Sequence, residues 1–456
     1  MSHSSEVPSP WHFAPGKPLT GSLTVPGDKS ISHRSLILSA LAVGESCISG
    51  LLEGDDVLAT AGALRAMGAT IDRRADGEWR VQGVGVGSLL QPEAALDMGN
   101  SGTSARLLMG LVASHPITAN FIGDASLSRR PMARVTEPLG QMGADFTTSP
   151  GATLPLMMQG ICPAIPIRYR LPVASAQVKS AIMLAALNTP GITEIIEPVP
   201  TRNHSETMLK GAGADVKVET DDDGTRHIFV TGESELQPQT ITVPGDPSSA
   251  AFFIVAALIV PGSDLTIRNV GINPTRAGLI TALREMGGDI TELNRRIVGG
   301  EPVADLHVRA SALRGSDVDP ALVPSMIDEF PIFFIAAAMA KGTTRTSGLD
   351  ELRVKESDRL AEMARGLKAL GITLEEQPDG LVIQGRDGEP FSPDDAVTIE
   401  KVLDHRIAMS FAVAGLVSKT GVTIADISPV ATSFPDFTAL LQRTTGGQEA
   451  IAGVQA

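Results

Sequence analysis

The sequence predicts an α/β fold built from six copies of one βαβαββ unit, three in each of two lobes. Three observations lead to this prediction. Apolar, alanine-rich helical runs recur about 75 residues apart, a glycine follows an amphipathic run at a similar interval, and Val-Pro-Gly-Asp occurs twice. A chain of 456 residues is long enough for this arrangement and for a substantial core.

The first helix of each unit is predicted from a polar start followed by an apolar body. Two of these bodies, 252–260 and 333–339, are apolar nearly all round, which predicts burial. Apolar helices of this length are too short to span a bilayer. The expected starts lie near Ser30, Thr103, Ser175, Ser248, Ser325 and His405.

The second helix of each unit is amphipathic and is followed by a glycine that is typical of a helix C-terminus. A short β-branched strand such as 192–196 separates the two helices, and a strand pair is expected after the glycine. Asp-Gly at 76–77, 223–224 and 379–380 favours a hairpin there. The glycines are Gly68, Gly143, Gly213, Gly287, Gly371 and Gly446.

The two Val-Pro-Gly-Asp sequences, at 25–28 and 243–246, lie three units apart. We interpret them as crossings between two lobes, one formed by residues 27–245 and the other by 1–26 with 246–456. Hinges are expected near 25–29 and 243–247, because Pro-Gly can localise a change of backbone direction. Two ordinary turns within one domain are the alternative.

Composition narrows the possible functions. A net charge of −15 and an aromatic content of 4% argue against a large nucleic-acid interface. Cys47 and Cys162 show neither metal-ligand spacing nor a disulfide framework, and residues 1–15 lack the pattern of a signal peptide. A cytoplasmic protein is therefore expected. No phosphate-binding loop or dinucleotide fingerprint occurs, so the sequence predicts no cofactor and no metal.

Polar residues occur at the starts of the helices that are predicted to be buried, and such residues need a partner or a ligand. Six helix starts that converge on one cleft would bind anions through their N–H groups and cations. For any one residue alone, a helix cap or a surface ion pair is the alternative. The set comprises Lys29, Ser30, Arg34, Asn100, Gly102, Thr103, Arg106, Ser175, Gln177, Lys179, Ser248, Ser249, Asp328, Glu329, Asp404, His405 and Arg406.

Two further segments add cations. Lys355 and Arg359 are four residues apart, which predicts one shared helix face, and Pro131 after Arg130 suits a first helical position. Solvated charged surfaces are the alternative for both segments. The cations exceed what one phosphate requires, which indicates two anionic substrates or a phosphate with carboxylates.

Several motifs resemble those of the 5-enolpyruvylshikimate 3-phosphate synthase family. They occur in order across the chain as Pro-Gly-Asp-Lys-Ser at 26–30, Gly-Asn-Ser-Gly-Thr at 99–103, Arg-Pro-Met at 130–132, Ser-Ala-Gln at 175–177, Leu-Arg-Val-Lys-Glu-Ser-Asp-Arg at 352–359 and Asp-His-Arg at 404–406. The resemblance implies a two-lobed inverse α/β prism whose lobes close over the substrates. It also implies transfer of the enolpyruvyl group of phosphoenolpyruvate to the 5-hydroxyl of shikimate 3-phosphate in chorismate and aromatic amino-acid biosynthesis.

The resemblance also implies roles for individual residues. Asp328 is expected to be the general base on the 5-hydroxyl, Glu356 to transfer a proton near the enolpyruvyl carbon, and Lys29 to act in catalysis. The expected shikimate 3-phosphate contacts are Lys29, Ser30, Arg34, Ser175, Ala176, Gln177, Arg202, Asp328 and Lys355. The expected phosphoenolpyruvate contacts are Lys29, Gly102, Arg130, Gln177, Arg359 and Arg406.

The chain departs from the better-known bacterial pattern at several positions, which are Ala176, Glu351 and Thr432. The segment 175–179 and Arg202 resemble a second subgroup whose members often tolerate glyphosate. Gly102, however, is the small residue found in sensitive enzymes. We therefore expect Gly102→Ala to weaken the binding of glyphosate more than that of the substrate.

Two other functions remain possible at this stage. The sister enolpyruvyl transferase that acts on UDP-N-acetylglucosamine shares the six-unit fold, but it usually carries a cysteine on a flexible basic loop, which neither Cys47 nor Cys162 matches. A non-catalytic repeat scaffold would also suit six units. The family resemblance implies a monomer whose partners are the two small substrates, with no nucleic acid and no membrane.

Overall fold

A computed structural model describes residues 9–400 and 403–445. Within these residues the strands are β1 (Trp11–Phe13), β2 (Thr20–Thr24), β3 (Val43–Ser49), β4 (Thr70–Arg73), β5 (Trp79–Val84), β6 (Leu96–Asp97), β7 (Thr118–Ile122), β8 (Asp145–Ser149), β9 (Thr153–Gln159), β10 (Arg168–Arg170), β11 (Ile192–Glu197), β12 (Val216–Thr220), β13 (Arg226–Thr231), β14 (Thr240–Thr242), β15 (Asp264–Gly271), β16 (Asp289–Val298), β17 (Glu301–Arg309), β18 (Thr343–Arg345), β19 (Leu374–Gln377), β20 (Gly380–Gln384), β21 (Val397–Ile399) and β22 (Val422–Ile424).

The helices alternate with these strands. They are α1 (Lys29–Leu41), α2 (Asp55–Ala66), α3 (Gly102–Ala113), α4 (Ala133–Gln141), α5 (Ala176–Ala186), α6 (His204–Gly211), α7 (Pro247–Ile259), α8 (Gly278–Glu285), α9 (Val323–Met326), α10 (Phe330–Met339), α11 (Arg359–Ala369), α12 (His405–Leu416) and α13 (Phe437–Thr444). Short 3₁₀ turns cover Leu127–Arg129, Pro320–Leu322, Ile327–Glu329, Asp350–Val354 and Ser428–Thr432.

The chain divides into two compact units. The first-half unit consists of residues 27–244 with 297–301, and the second-half unit contains the segments that end at 26, run from 245 to 296 and begin at 302. Each unit has its own hydrophobic core. The predicted hinges near 25–29 and 243–247 stay a prediction.

Residues 297–301 are the tip of the β16–β17 hairpin, and the sequence prediction did not separate them from the rest of the second lobe. They group with the first-half unit. Within that unit Glu301 Oε1 lies 2.7 Å from His204 Nδ1, and both side chains are buried.

Each unit contains three sheets, and the full four-stranded version has one parallel and two antiparallel pairings. The first-half unit has the orders β14-β3-β5-β4, β6-β7-β9-β8 and β10-β11-β13-β12, and the second-half unit has β16-β17-β15-β2, β18-β20-β19 and β1-β22-β21. In the first of these sheets, for example, β14 runs parallel to β3 while β5 runs antiparallel to both β3 and β4. The predicted α/β fold of repeated units is therefore confirmed.

The strands next to the two Pro-Gly-Asp turns are exchanged between repeats. β2 precedes the first turn but pairs with β15, and β14 precedes the second turn but pairs with β3. Gly27 is required here by close approach, because a Cβ at this position would lie 2.0 Å from the carbonyl oxygen of Gly50.

The last two repeats depart from the predicted plan. In the fifth, isolated bridges at Arg314 and Asp317 replace the first strand, so that sheet has three strands. In the sixth, the antiparallel partner of β22 is β1, which comes from the N-terminal part of the chain. A three-residue strand after a Ser/Pro-rich segment carries too little periodicity to be predicted.

The predicted helix ends are confirmed at five of the six glycines. Gly68, Gly143, Gly213, Gly287 and Gly371 all have positive φ and directly follow the C-cap residues of α2, α4, α6, α8 and α11. In α2, Gly68 N donates to Arg65 O and Ala69 N donates to Leu64 O, which closes the helix end. Gly446 lies outside the described residues.

The helices predicted to be buried are buried. Every residue of α7 and α10 is buried. The helical stretch that ends with α10 is longer than the sequence predicted, since it runs without a break over Pro320–Met339. By length and hydropathy alone, this stretch could cross a membrane. Of the most apolar part of this stretch, 67% is buried inside the protein, as expected of a core helix.

Candidate active site

The first helices of the repeats begin at polar caps, which place the next polar side chains at the helix N-termini. Asp28 accepts a hydrogen bond from Ile31 N in α1, and Asp246 accepts one from Ser248 N in α7. The other capping side chains are Ser101 for α3, Ser175 for α5 and Asp404 for α12. The N-terminus of α10 instead follows the 3₁₀ turn Ile327–Glu329, which contains Asp328.

In the first-half unit, Lys29 is paired with a carboxylate that the sequence analysis did not select. Lys29 Nζ lies 2.8 Å from Asp56 Oδ2, and the two side chains are 18% and 10% exposed. Asp56 lies in the first turn of α2, where an acidic residue is also expected simply to stabilise a helix. That ordinary role explains why its pairing with Lys29 could not be recognised in the sequence.

Arg34 holds three helices of this unit together. Its Nε donates to Ser205 Oγ at 2.7 Å and its Nη2 donates to Ser180 Oγ at 2.6 Å, which joins α1 to α6 and α5. The residue is 6% exposed. Arg34 therefore positions the start of α1, a role that the sequence analysis did not predict.

Gly102 faces two guanidinium groups. A Cβ at this position would lie 2.7 Å from Arg106 Nη1 and 3.2 Å from Arg130 Nη1. Arg130 is buried and its Nη2 donates to Asn100 Oδ1 at 2.7 Å. The missing side chain at Gly102 is thus what allows both arginines to approach the start of α3.

Pro131 does not occupy a first helical position, contrary to the prediction. Met132 is the N-cap of α4, so the helix starts only at Ala133. The chain ahead of it is ordered instead by the short 3₁₀ turn Leu127–Arg129.

Gln177 joins the starts of α5 and α3. Its Nε2 donates to Thr103 Oγ1 at 2.9 Å, and its Oε1 accepts from Arg106 Nη1 at 2.9 Å. Ser175 caps α5 and Ala176 is its first residue, whereas Arg202 is half-buried in the segment before α6. Side-chain contacts of Gln177 therefore join the starts of α3 and α5, and α1 is linked to α5 through Arg34 and Ser180. Convergence of all six starts on one cleft stays a prediction.

Lys179 pairs with two buried carboxylates, and not with the Gln177 side chain or its partners. Its Nζ lies 2.9 Å from both Glu197 Oε1 and Glu206 Oε1, and Arg226 pairs with the same two carboxylates. Lys179 is fully buried. The structure therefore gives Lys179 a place in an internal ion network.

His33 is a buried neutral histidine at the start of α1. Burial lowers its pKa well below the ordinary value, and the positive charges of Lys29 and Arg34 lower it further. Its Nδ1 lies 2.8 Å from Thr60 Oγ1, and that hydroxyl lies 2.7 Å from Ser104 Oγ. These contacts link helices α1, α2 and α3 below Lys29.

In the second-half unit, Arg359 binds three carboxylates at once. Its Nε lies 2.8 Å from Asp404 Oδ2, its Nη2 lies 2.6 Å from Glu356 Oε2, and its Nη1 lies 3.3 Å from Asp328 Oδ1. Burial by itself would lower the pKa of Arg359, but the three carboxylates outweigh it and raise the pKa above the usual arginine value. Arg359 is thus a permanent cation between the two predicted catalytic acids.

Lys355 and Arg359 do not share a helix face, contrary to the prediction. Lys355 follows the 3₁₀ turn Asp350–Val354 in an extended conformation, and Asp358 caps α11 in front of Arg359. Both cations nevertheless approach Asp328 Oδ1, because Lys355 Nζ lies 3.8 Å and Arg359 Nη1 lies 3.3 Å from it. The non-helical segment from Lys355 to Asp358 brings them together where a helix was expected to do so.

Arg406 reaches the same turn from α12. Its Nη1 donates to the carbonyl oxygen of Asp328 at 3.0 Å and lies 3.7 Å from Glu329 Oε1. Glu329 is buried and also contacts Arg276, which the sequence analysis did not select. Arg276 lies in a loop before α8, outside both helix patterns, so no periodic signal marked it.

Two positions at which the chain departs from the better-known bacterial pattern also lie beside these residues. Glu351 Oε1 lies 3.8 Å from Lys355 Nζ, and Thr432 Oγ1 lies 3.4 Å from His405 Nδ1. Among residues 9–400 and 403–445, no group of three or more His, Cys, Asp or Glu side chains is placed to hold a metal ion. Each unit offers a set of cations at helix starts with carboxylates beside them, one at Lys29 in the first-half unit and three around Arg359 in the second-half unit.

The fold and these clusters define a protein of the enolpyruvyl transferase class. The enolpyruvyl transferase NikO from Streptomyces tendae superposes with a TM-score of 0.76 over 96% of this chain and 98% of its own, at 18% identity, which speaks for the fold alone. EPSP synthase from Acinetobacter baumannii superposes with a TM-score of 0.85 at 46% identity, over 97% of this chain and all of the other (100%).

The sequence comparisons identify the family. The family model for EPSP synthase (3-phosphoshikimate 1-carboxyvinyltransferase) matches residues 13–441. The 3-phosphoshikimate 1-carboxyvinyltransferase of Sphingopyxis alaskensis is 69% identical over 96% of this chain and 99% of its own length, and that of Novosphingobium aromaticivorans is 64% identical over the same shares. The chain belongs to the EPSP synthase family, and the activity that the sequence motifs predicted is confirmed.

Proposed function

We propose that this chain carries out the reaction of its family with the residues described above. The enolpyruvyl group of phosphoenolpyruvate is transferred to the 5-hydroxyl of shikimate 3-phosphate, and inorganic phosphate leaves. The observation that supports these residue roles most strongly is the meeting of Lys355, Arg359 and Arg406 at the short turn that carries Asp328. Two cations at the Asp328 carboxylate and a third at the backbone carbonyl of the same residue suit a reaction in which both substrates are anions.

Asp328 is the general base in this proposal. Its carboxylate accepts the proton of the 5-hydroxyl while that oxygen attacks C2 of phosphoenolpyruvate. Lys355 and Arg359 both approach Asp328 Oδ1, so the carboxylate is held in one orientation before the substrate arrives. A fixed base loses little entropy when the reaction begins.

Glu356 transfers the second proton. Addition requires a proton at C3 of phosphoenolpyruvate, which turns the CH₂ group into the methyl group of a tetrahedral intermediate. Elimination then removes a proton from that methyl group, expels phosphate and restores the double bond. Glu356 Oε2 is held 2.6 Å from Arg359 Nη2, so one buried arginine orients both acids.

The remaining residues bind the anionic groups. In the second-half unit, Arg359 and Arg406 are the proposed ligands of phosphoenolpyruvate and Lys355 binds shikimate 3-phosphate. In the first-half unit Lys29 contacts both substrates. The other proposed ligands of phosphoenolpyruvate there are Gly102, Arg130 and Gln177, and those of shikimate 3-phosphate are Ser30, Arg34, Ser175, Ala176, Gln177 and Arg202. Helix N–H groups and fixed cations stabilise charge on the departing phosphate with little reorganisation.

Phosphate release tests this proposal and separates it from its rivals. The purified protein is incubated with phosphoenolpyruvate and either shikimate 3-phosphate, UDP-N-acetylglucosamine or no acceptor. We expect phosphate release only in the incubation in which shikimate 3-phosphate is the acceptor. Release with the nucleotide sugar would indicate the sister transferase, and no release with any acceptor would indicate a non-catalytic scaffold.

We also propose that the protein is a soluble cytoplasmic monomer that needs neither metal nor organic cofactor. Both cysteines, Cys47 and Cys162, are free thiols, which suits a reducing compartment. Light scattering coupled to size-exclusion chromatography should give the mass of one chain, 47.5 kDa. Activity should be unchanged after extensive treatment with a chelator, and a loss that added metal restores would contradict the proposal.

A further inference from the structure

Glu329 is a buried acid directly beside the proposed general base. It shares the 3₁₀ turn Ile327–Glu329 with Asp328 but is only 2% exposed. Its Oε1 accepts a hydrogen bond from Ser248 Oγ and lies 3.7 Å from Arg406 Nη1 and 3.8 Å from Arg276 Nη2. One carboxylate oxygen therefore connects this turn to α7, to α12 and to the loop that carries Arg276.

Arg276 is itself held by several groups. Its backbone N–H donates to Asn273 O at 2.8 Å, so a tight turn presents the side chain. Its Nη2 donates to Ser248 Oγ at 2.7 Å and to Asp246 Oδ1 at 3.2 Å. Asp246 is the cap of α7, so Arg276 fixes Glu329 to the start of a neighbouring helix.

Burial of the Glu329 carboxylate lowers the stability of the fold unless its contacts compensate for the lost hydration. Glu329 Oε2 is buried and has no hydrogen-bond partner among the residues that the structure describes. Desolvating a carboxylate with one oxygen unbonded costs more than an apolar side chain of the same size would. A buried polar group of this kind calls for a reason beyond packing.

The contacts of Arg406 supply that reason. Arg406 Nη1 lies between the carbonyl oxygen of Asp328, at 3.0 Å, and Glu329 Oε1, at 3.7 Å. A shift of Glu329 would therefore move both the base and the arginine proposed to bind phosphoenolpyruvate. Neither Glu329 nor Arg276 is among the proposed substrate ligands.

We propose that Glu329 and Arg276 are positioning residues that hold the Asp328 turn and the Arg406 guanidinium in register. This inference rests on the proposed function, which assigns the reacting groups to Asp328 and Arg406. The pair acts through those two residues and does not touch the substrates. Its loss should therefore impair turnover and the use of phosphoenolpyruvate while leaving shikimate 3-phosphate binding intact.

Three variants test the proposal: Glu329→Gln, Arg276→Gln and the double variant. Glu329→Gln keeps the shape and an acceptor for Ser248 but removes the charge that faces both arginines. We expect kcat to fall about 10- to 100-fold and the KM for phosphoenolpyruvate to rise at least about fivefold, since small misplacements of reacting groups have effects of this size. The dissociation constant of shikimate 3-phosphate should change less than about threefold, because most of its proposed ligands lie in the first-half unit.

The double variant shows whether the two residues act as one device. If they do, its kcat should be close to that of the worse single variant, and not the product of the two losses. Arg276→Lys retains a charge and should recover part of the activity lost in Arg276→Gln, which provides a second test if Arg276→Gln folds poorly. Multiplicative losses in the double variant would overturn the proposal.

A core truncation controls for simple destabilisation. Ile383 is fully buried in β20 of the same unit, where its strand partners are Thr344 and Leu374, so Ile383→Ala should lower the melting temperature with kcat and KM unchanged. Glu329→Gln kinetics within about threefold of wild type, or a matching kcat loss in Ile383→Ala, would overturn the inference. Asp328→Asn and Arg406→Lys, measured alongside, test the proposed function itself. If those two are inactive while Glu329→Gln is normal, only the positioning role fails.

Discussion

Asp404 fixes two arginines at once. Its Oδ2 lies 2.8 Å from Arg359 Nε, and its Oδ1 accepts a hydrogen bond from the backbone N–H of Arg406 at 2.9 Å. Asp404 is fully buried and Arg359 is 1% exposed. One carboxylate thus caps α12 and orients both proposed phosphoenolpyruvate ligands of the second-half unit.

Replacement of Asp404 should therefore affect both stability and activity. Asp404→Asn keeps an acceptor for the helix cap but leaves Arg359 with one carboxylate fewer, and breaking a buried pair in this way costs about 3–5 kcal/mol. We expect a lower free energy of unfolding in urea and a KM for phosphoenolpyruvate raised about tenfold or more. Asp317→Asn is the control, because its partner Arg345 and Asp317 are both exposed and such pairs contribute about 0–1 kcal/mol. Equal stability losses in the two variants would contradict the assignment.

Asp328→Asn should separate binding from turnover. The amide keeps the shape of the side chain but cannot accept the 5-hydroxyl proton, so kcat should fall at least about a hundredfold. Shikimate 3-phosphate should still bind, and isothermal titration calorimetry can measure this binding directly. Turnover close to that of the wild-type protein would place the base elsewhere.

Gly102→Ala should disturb the two arginines at the start of α3. The new methyl group would lie 2.7 Å from Arg106 Nη1 and 3.2 Å from Arg130 Nη1, so the guanidinium groups must move. We expect the KM for phosphoenolpyruvate to rise and inhibition by the bulkier phosphonate glyphosate to weaken by a larger factor. Gly140→Ala in α4 is a suitable control, since its added Cβ would meet nothing within 4 Å beyond the adjacent residues and backbone of its own helix. Unchanged inhibition by glyphosate in Gly102→Ala would contradict the prediction.

Acid should destabilise the protein partly through His33. Because its pKa is lowered in the folded state, the unfolded chain binds a proton below about pH 6.5 that the folded chain does not, and stability falls as the pH drops, by at most about 1.4 kcal/mol per pH unit. His33→Asn should therefore show a shallower loss of unfolding free energy between pH 6.5 and pH 5. Some slope should remain, since burial also lowers the pKa of His115.

His227 provides a comparison of opposite sign. A hydrogen bond to Glu194 raises its pKa, so its stabilising contribution is present at low pH and is lost as the pH rises through the folded-state pKa. As the pH falls, the unfolding free energy of His227→Gln should decrease relative to that of the wild-type protein. The unfolding free energy of His33→Asn should increase relative to wild type over the same range. The same direction of change in both variants would refute the assignment for His33.

The repeated local features of the fold could be predicted because each depends on a few neighbouring residues. A glycine such as Gly68 ends a helix by adopting positive φ, and Asp28 caps a helix by bonding to an N–H three residues ahead. Strand partners could not be predicted in the same way. The pairing of β1 with β22 joins residues about 400 apart, and nothing in the short β1 sequence specifies that partner.

The residues of the candidate site also fall into those that the sequence selected and those that only the structure showed. Motifs contained Lys29 and Arg359, and Asp328 was selected as a polar residue at the start of a helix predicted to be buried. Asp56 and Arg276 went unrecognised, since an acid in a first helix turn and an arginine in a loop are both common. The non-helical segment from Lys355 to Asp358 also contradicted the helix that the spacing of Lys355 and Arg359 favoured.

The sequence by itself determined the six-repeat α/β plan, the family and the cations that mark the helix starts, because these follow from periodicity, capping and ordered motifs. Only the tertiary structure decided which carboxylate each cation meets. Arg359 is bound to Asp404 and Asp328, which are 45 and 31 residues away, and Lys29 is bound to Asp56 on the next helix, 27 residues away. Arg359 also meets Glu356, which lies three residues before it and outside the helix that begins at Arg359. Such pairing depends on how whole repeats pack, and side-chain electrostatics in a buried environment follow from that packing.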